Sequence, residues 1–70
     1  MERQRVQSSN IESAGFIQGQ QILEVAFRGG AVYQYSGVPK QVADAFFLSE
    51  SKGRFLAQNI KGQYPCQRTE

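Results

Sequence analysis

Histidine and tryptophan are missing from this chain of 70 residues, and it has a single cysteine. Without histidine it lacks the commonest general base and the commonest metal ligand, and no Ser–His or Cys–His nucleophile pair can form. Cys66 alone closes neither an intramolecular disulfide nor a zinc site. Phosphate-loop and dinucleotide fingerprints are absent, and Glu12, Glu24, Asp44 and Glu50 stand in separate segments. The expectation is a protein that is not an enzyme and holds no cofactor or metal.

Long apolar runs are missing too. The longest, "AFFL" at 45–48, is far too short to cross a bilayer. The opening "MERQRVQSSN" has no apolar stretch of the kind a signal peptide carries. These absences predict a cytoplasmic protein without membrane attachment. No block of like charge occurs, and the formal net charge of +2 with a pI near 9.0 leans only mildly toward an anionic partner. A domain this small buries a modest share of its surface, so self-association into a homo-oligomer is a further expectation.

What is present reads as an α+β domain. Three short strands are predicted in "IESAGFIQ", "QILEVAF" and "AVYQYS". In the second, Leu23, Val25 and Phe27 alternate with Ile22, Glu24 and Ala26, the two-residue period of a half-buried strand. A two-residue turn at Gly19-Gln20, with glycine first, would set Phe16 opposite Leu23 and Ala14 opposite Val25. Gly15 is a candidate bulge that would shift this register by one residue.

The next connection decides where two tyrosines point. A two-residue Gly29-Gly30 loop would leave Tyr33 and Tyr35 off the face that carries Phe27. A three-residue loop, Arg28-Gly29-Gly30 with Gly30 left-handed, sets Val25 opposite Tyr33 and Leu23 opposite Tyr35. That register gathers Phe16, Leu23, Val25, Phe27, Tyr33 and Tyr35 on one face, and is preferred because a one-residue slip would scatter them. The opposite face carries Ile17, Ile22 and Val32 among polar residues, either as isolated surface apolars or as a subunit interface.

After the strands, "VPKQVADAFFLSE" begins with a proline suited to a first helical turn and carries a stripe of Val38, Val42, Ala45 and Phe46. A second helix follows, with Ser51 as N-cap, Phe55, Leu56 and Ile60 as its apolar side and Gly62 as its stop. The predicted fold is a three-stranded antiparallel β-meander followed by two α-helices packed on one face, β-β-β-α-α. Residues 1–7 are expected to be a flexible arm, 8–64 the single domain and 65–70 a tail.

In order along the chain, "SSNIESAGF", "LEVAFRGGAVYQYSGVP", "SKGRF" and "NIKGQY" resemble the KTSC domain, from Ser8 to Tyr64. That family is named for the C-terminus of some lysyl-tRNA synthetases and also occurs as small stand-alone bacterial and phage proteins. The matching features are Ser8-Ser9, Tyr33-x-Tyr35, Val38-Pro39, Ser51-x-Gly53, Ile60 and Tyr64. Phe16 stands where the family often has tyrosine. The synthetase fusion implies RNA as a partner.

Two candidate sites follow. In "SESKGRF", a capping Ser51, a side-chain-free Gly53 and the cations Lys52 and Arg54 would present backbone donors and charge to one phosphate. Tyr35, near its strand end, would bury its ring and show its hydroxyl at a cleft beside that phosphate. Arg28 and Lys61 would add attraction for nucleic acid. The first functional expectation is therefore RNA or other nucleic-acid binding through phosphate contacts. The alternatives are an oligomeric binder of a nucleotide-like anion, such as a cyclic dinucleotide, and a protein-interaction module.

Overall fold

The alternation at residues 22–27 is realised as a strand at the centre of an antiparallel sheet. The computed structural model of the chain describes residues 4–5 and 10–69. The flexible arm expected over 1–7 lies outside these residues except at Gln4–Arg5, and so do Ser8 and Ser9. The strands are β1 (Gln4–Arg5), β2 (Ile11–Ile17), β3 (Ile22–Phe27), β4 (Val32–Ser36) and β5 (Cys66–Arg68). They lie side by side in that order, each antiparallel to the next. Helix α1 (Lys40–Leu48) and the short α2 (Lys52–Phe55) intervene between β4 and β5, and α2 runs straight into a π turn over Leu56–Ile60.

The expected meander is thus present as β2-β3-β4, with helices after it. The sheet is wider than expected, because Gln4–Arg5, within the stretch read as a flexible arm, pairs with β2 as β1, and the stretch read as a tail contributes β5. The amide N–H of Ser36 donates to the Pro65 carbonyl at 2.9 Å, and that of Thr69 donates to the Val32 carbonyl at 2.8 Å. These bonds fasten the returning chain along the free edge of β4. No helix among the described residues is long and apolar enough to cross a membrane.

Both hairpin registers follow the alternation. Phe16 faces Leu23 and Ala14 faces Val25; the irregularity in β2 falls between Ile11 and Ser13 rather than at Gly15. The β2–β3 turn differs from the glycine-first form. Gln20 and Gln21 N–H donate to the carbonyls of Ile17 and Gln18, and the left-handed residue is Gln21, with φ 54°, not Gly19. Two consecutive turns closed by one left-handed residue preserve the expected strand pairing.

The β3–β4 loop has the expected three residues. Phe27 N–H donates to the Ala31 carbonyl at 2.8 Å, and Gly30 N–H donates back to Phe27 at 3.2 Å. Gly29 and Gly30 both have positive φ, 99° and 102°, where an L side chain would be strained. Val25 therefore pairs with Tyr33 and Leu23 with Tyr35.

The helices cover the face these residues share. Leu23, Val25, Tyr35, Val38, Phe46, Leu56 and Ile60 form one buried cluster, with Phe16, Phe27 and Tyr33 packed at its margin. Phe46 is its largest wholly buried side chain, set edge-on to Phe47 at 5.2 Å and to Phe55 at 6.2 Å. On α1 the buried partner of Phe46 is Ala43, three residues before it, and Ala45 is exposed. Val42, Ala43, Phe46 and Phe47 make a contiguous helical stripe, and the wheel places Ala45 on its far side. Pro39 stands at the N-cap, one residue before the first helical turn.

On the reverse face Val32 is buried and Ile17 and Ile22 are partly so. Leu48 on α1 is the single large apolar side chain fully exposed among the described residues.

Truncating the centre of this cluster is expected to be severe. Phe46→Ala should cost about 3–5 kcal/mol, a large part of the total stability of a small domain. Ala45→Ser, on the exposed side of the same helix, should shift stability by less than about 0.5 kcal/mol. Urea unfolding midpoints of the two variants check both values.

Candidate functional site

Where the second helical segment leaves the sheet margin, a cleft of about 370 Å³ opens. Its sheet side is formed by Phe27, Tyr33 and Tyr35, with Cys66 of β5 beside them. Its helical side is Gly53, Leu56, Ala57 and Lys61. Asn10 and Ala31 close the end near the β3–β4 loop.

Each wall has a local cause. Residues opposite one another in an antiparallel pair share a face, so Tyr35↔Cys66 and Tyr33↔Arg68 stand together across β4 and β5. Tyr33 meets Phe27 edge-on, with ring centroids 5.7 Å apart and planes at 80°. On the helical side Gly53, Ala57 and Lys61 recur every four residues. In a regular α-helix steps of four drift by about 40° around the axis. The π turn winds less per residue and closes with Lys61 N–H donating to the Leu56 carbonyl at 2.7 Å. Lys61 is thereby kept on the cleft side. It then opens a tight turn, in which Gln63 N–H donates to Ile60 and Gly62 takes φ 83°.

The structure brings together Tyr35, Gly53 and Lys61 of the residues singled out from the sequence. It does not place Ser51, Lys52, Arg54 or Arg28 in the cleft. Ser51 does precede α2, and its carbonyl accepts from Phe55 N–H at 2.9 Å, but its side chain makes no capping bond. The Lys52 ammonium donates to the Ser49 carbonyl at 3.0 Å. Arg54 and Arg28 are exposed. With no capping bond from Ser51 and neither flanking cation lining the cleft, the phosphate cradle expected at the start of α2 is not part of it. What the chain builds is a mostly apolar, aromatic cleft with one lysine.

Tyr35 is only 3% exposed, as enclosed as Leu56 across the cleft. Burial raises its phenol above the usual tyrosine value of 10.0, and the charges that Cys66 and Tyr33 carry when ionised push it further the same way. The sign of the consequence follows: a raised folded-state value favours the protonated fold, so this contribution is whole below pH 10 and is lost as pH rises through the folded value. Stability should therefore fall in the alkaline range. Tyr35→Phe should fall less steeply there, as denaturation midpoints between pH 9 and about pH 11.5 would show.

Sequence reasoning missed Ala57, Asn10 and Ala31, and it left Cys66 in a tail and Tyr33 in the core alone. The four-residue spacing Gly53-Ala57-Lys61 is the signal that was available for Ala57.

Comparison with known proteins places these features in a family. The KTSC domain model matches residues 7–64. A protein of Stutzerimonas stutzeri strain A1501, described as uncharacterized, is 44% identical over 64 residues, covering 91% of this chain and 90% of that one. A protein of Tsukamurella paurometabola is also 44% identical, over 61 residues, covering 87% and 91% of the two chains. The crystal structure of a KTSC domain protein from Yersinia pestis superposes with a TM-score of 0.93 at 41% identity, over 99% of this chain and 97% of that one. This chain belongs to the KTSC domain family.

Proposed function

We propose that this KTSC domain is a non-enzymatic binding module for single-stranded RNA, holding an unpaired base in the cleft with Lys61 against an adjoining phosphate. One observation carries the reading: Phe27, Tyr33 and Tyr35 share a concave site with Lys61. Aromatic side chains take up unstacked bases, at about 1–3 kcal/mol per base, and a lysine beside them suits the backbone. The cleft's volume of about 370 Å³ falls among ordinary ligand sites. No carboxylate stands among the described residues that line it, which favours an anionic ligand. Unlike the open aromatic face of an RNA-recognition sheet, the platform here is bounded by a helical wall, which favours a single strand over a duplex.

A nucleotide-like small anion is the second reading, favoured by the limited volume and the single lysine. Fluorescence anisotropy with a short single-stranded RNA, the matching duplex and a mononucleotide, at several salt concentrations, separates the two. The single strand should bind, the duplex should not, and affinity should fall with salt. Lys61→Gln should lower the logarithmic salt slope by about 0.7, the value for one phosphate contact on a single strand. Gly53→Val, which adds bulk to the helical wall, should abolish binding, whereas Lys52→Gln should leave it nearly unchanged. All three variants must keep the wild-type far-ultraviolet spectrum. A mononucleotide binding as tightly as the RNA would establish the small-ligand reading. Undiminished binding by both Lys61→Gln and Gly53→Val would remove the cleft as the site.

A further inference from the structure

The cleft runs along β4. Tyr35, Tyr33 and Ala31 line it in turn, each two residues from the last, and β5 lies outside this row as the edge of the sheet. Cys66, opposite Tyr35, also lines the cleft. Side chains two apart on a strand point to the same face, so Arg68, opposite Tyr33, stands on the cleft side at its outer rim. Gln67, between them, pairs with Gln34 and turns with it to the reverse face, where Glu24 continues the row. Strand alternation thus sends the cation of β5 to the cleft side and keeps Glu24 on the other.

Lys61 reaches the same cleft from the helical side, at the Cys66 end. It bridges to Tyr64, and Pro65 alone separates that bridge from β5. Arg68 lies one two-residue step further along β5, about 6.6–6.8 Å from Cys66. The two cations therefore stand at successive points along the cleft. A step of that length is roughly double the 3.4 Å rise of stacked bases along one strand, and suits neighbouring phosphates on an extended, unstacked strand. Arg68 is exposed, and a guanidinium carries five donors, so it can take a phosphate alongside a protein partner.

We infer that Arg68 is a second phosphate contact, one nucleotide along the strand from Lys61, so that the cleft holds an internal nucleotide of an extended chain between two phosphates. This rests on the cleft being the RNA site proposed above. It adds the course of the bound strand, which follows β4 and β5 rather than crossing them. Two cations so placed favour a chain with phosphates on both sides of the held base over a mononucleotide with one.

The test measures the salt dependence of oligouridylate binding by fluorescence anisotropy. Arg68→Gln should lower the logarithmic salt slope by about 0.7, and Lys61→Gln combined with Arg68→Gln by about 1.4. Arg68→Lys should keep the slope. Exchanging the two neighbours, Gln67→Arg with Arg68→Gln, preserves net charge and composition but moves the cation to the reverse face. That exchange should lower the slope by about 0.7, as Arg68→Gln alone does. Both positions are exposed, and thermal melts establish that each variant folds. An exchange variant with the wild-type slope would reveal diffuse attraction and overturn the contact, as would an unchanged slope in Arg68→Gln; RNA binding through Lys61 would still stand. A wild type that does not bind oligouridylate would overturn both.

Discussion

Two adjacent glycines with positive φ hold the β3–β4 register, and the whole arrangement of aromatics depends on it. With Phe27 opposite Ala31, Val25 meets Tyr33 and Leu23 meets Tyr35. A slip of one residue would turn both tyrosines to the reverse face and leave the helices covering Gln34 instead. The core would lose a ring, and the cleft would lose its sheet side. Backbone conformation at Gly29 and Gly30 thus governs side chains well removed along the strand.

The helical side of the cleft has a different origin. Leu56 and Ile60 bury themselves in the core, while Gly53, Ala57 and Lys61 face the cleft. A π turn between them changes the winding so that the last member of that row stays in line. The small side chains at 53 and 57 leave room over the tyrosines, and Lys61 supplies the charge at the end. Chain economy is evident here: one nine-residue helical stretch serves the core with one side and the cleft with the other.

The meander was legible because its signals are local. Alternation set the faces, and glycine chemistry set the β3–β4 loop. Strand β5 was not legible, since Cys66, Gln67 and Arg68 are all exposed and show no alternation. They are strand only because β4 offers an unpaired edge. Of the candidate site, Tyr35, Gly53 and Lys61 were found, each through turn, helix or family pattern. Ser51, Lys52 and Arg54 were grouped with Gly53 because they are its neighbours in sequence. Successive helical residues point about 100° apart, and of that run Gly53 alone lines the cleft. Ala45 was misplaced for a related reason: a short stripe admits more than one choice until the helix's partner is known.

Strand β5 is brief, wholly exposed in its side chains, and joined to the sheet along one side only. Its pairing with β4 spans the sequence distance from Tyr35 to Cys66, whereas β2, β3 and β4 are linked by tight turns. Segments of this kind open by local fluctuations far smaller than global unfolding. Amide exchange along β5 should accordingly be fast while Leu23 and Val25 stay protected. An opening of β5 would uncover the cleft at Cys66 while Tyr35, fixed in the core, stayed in place.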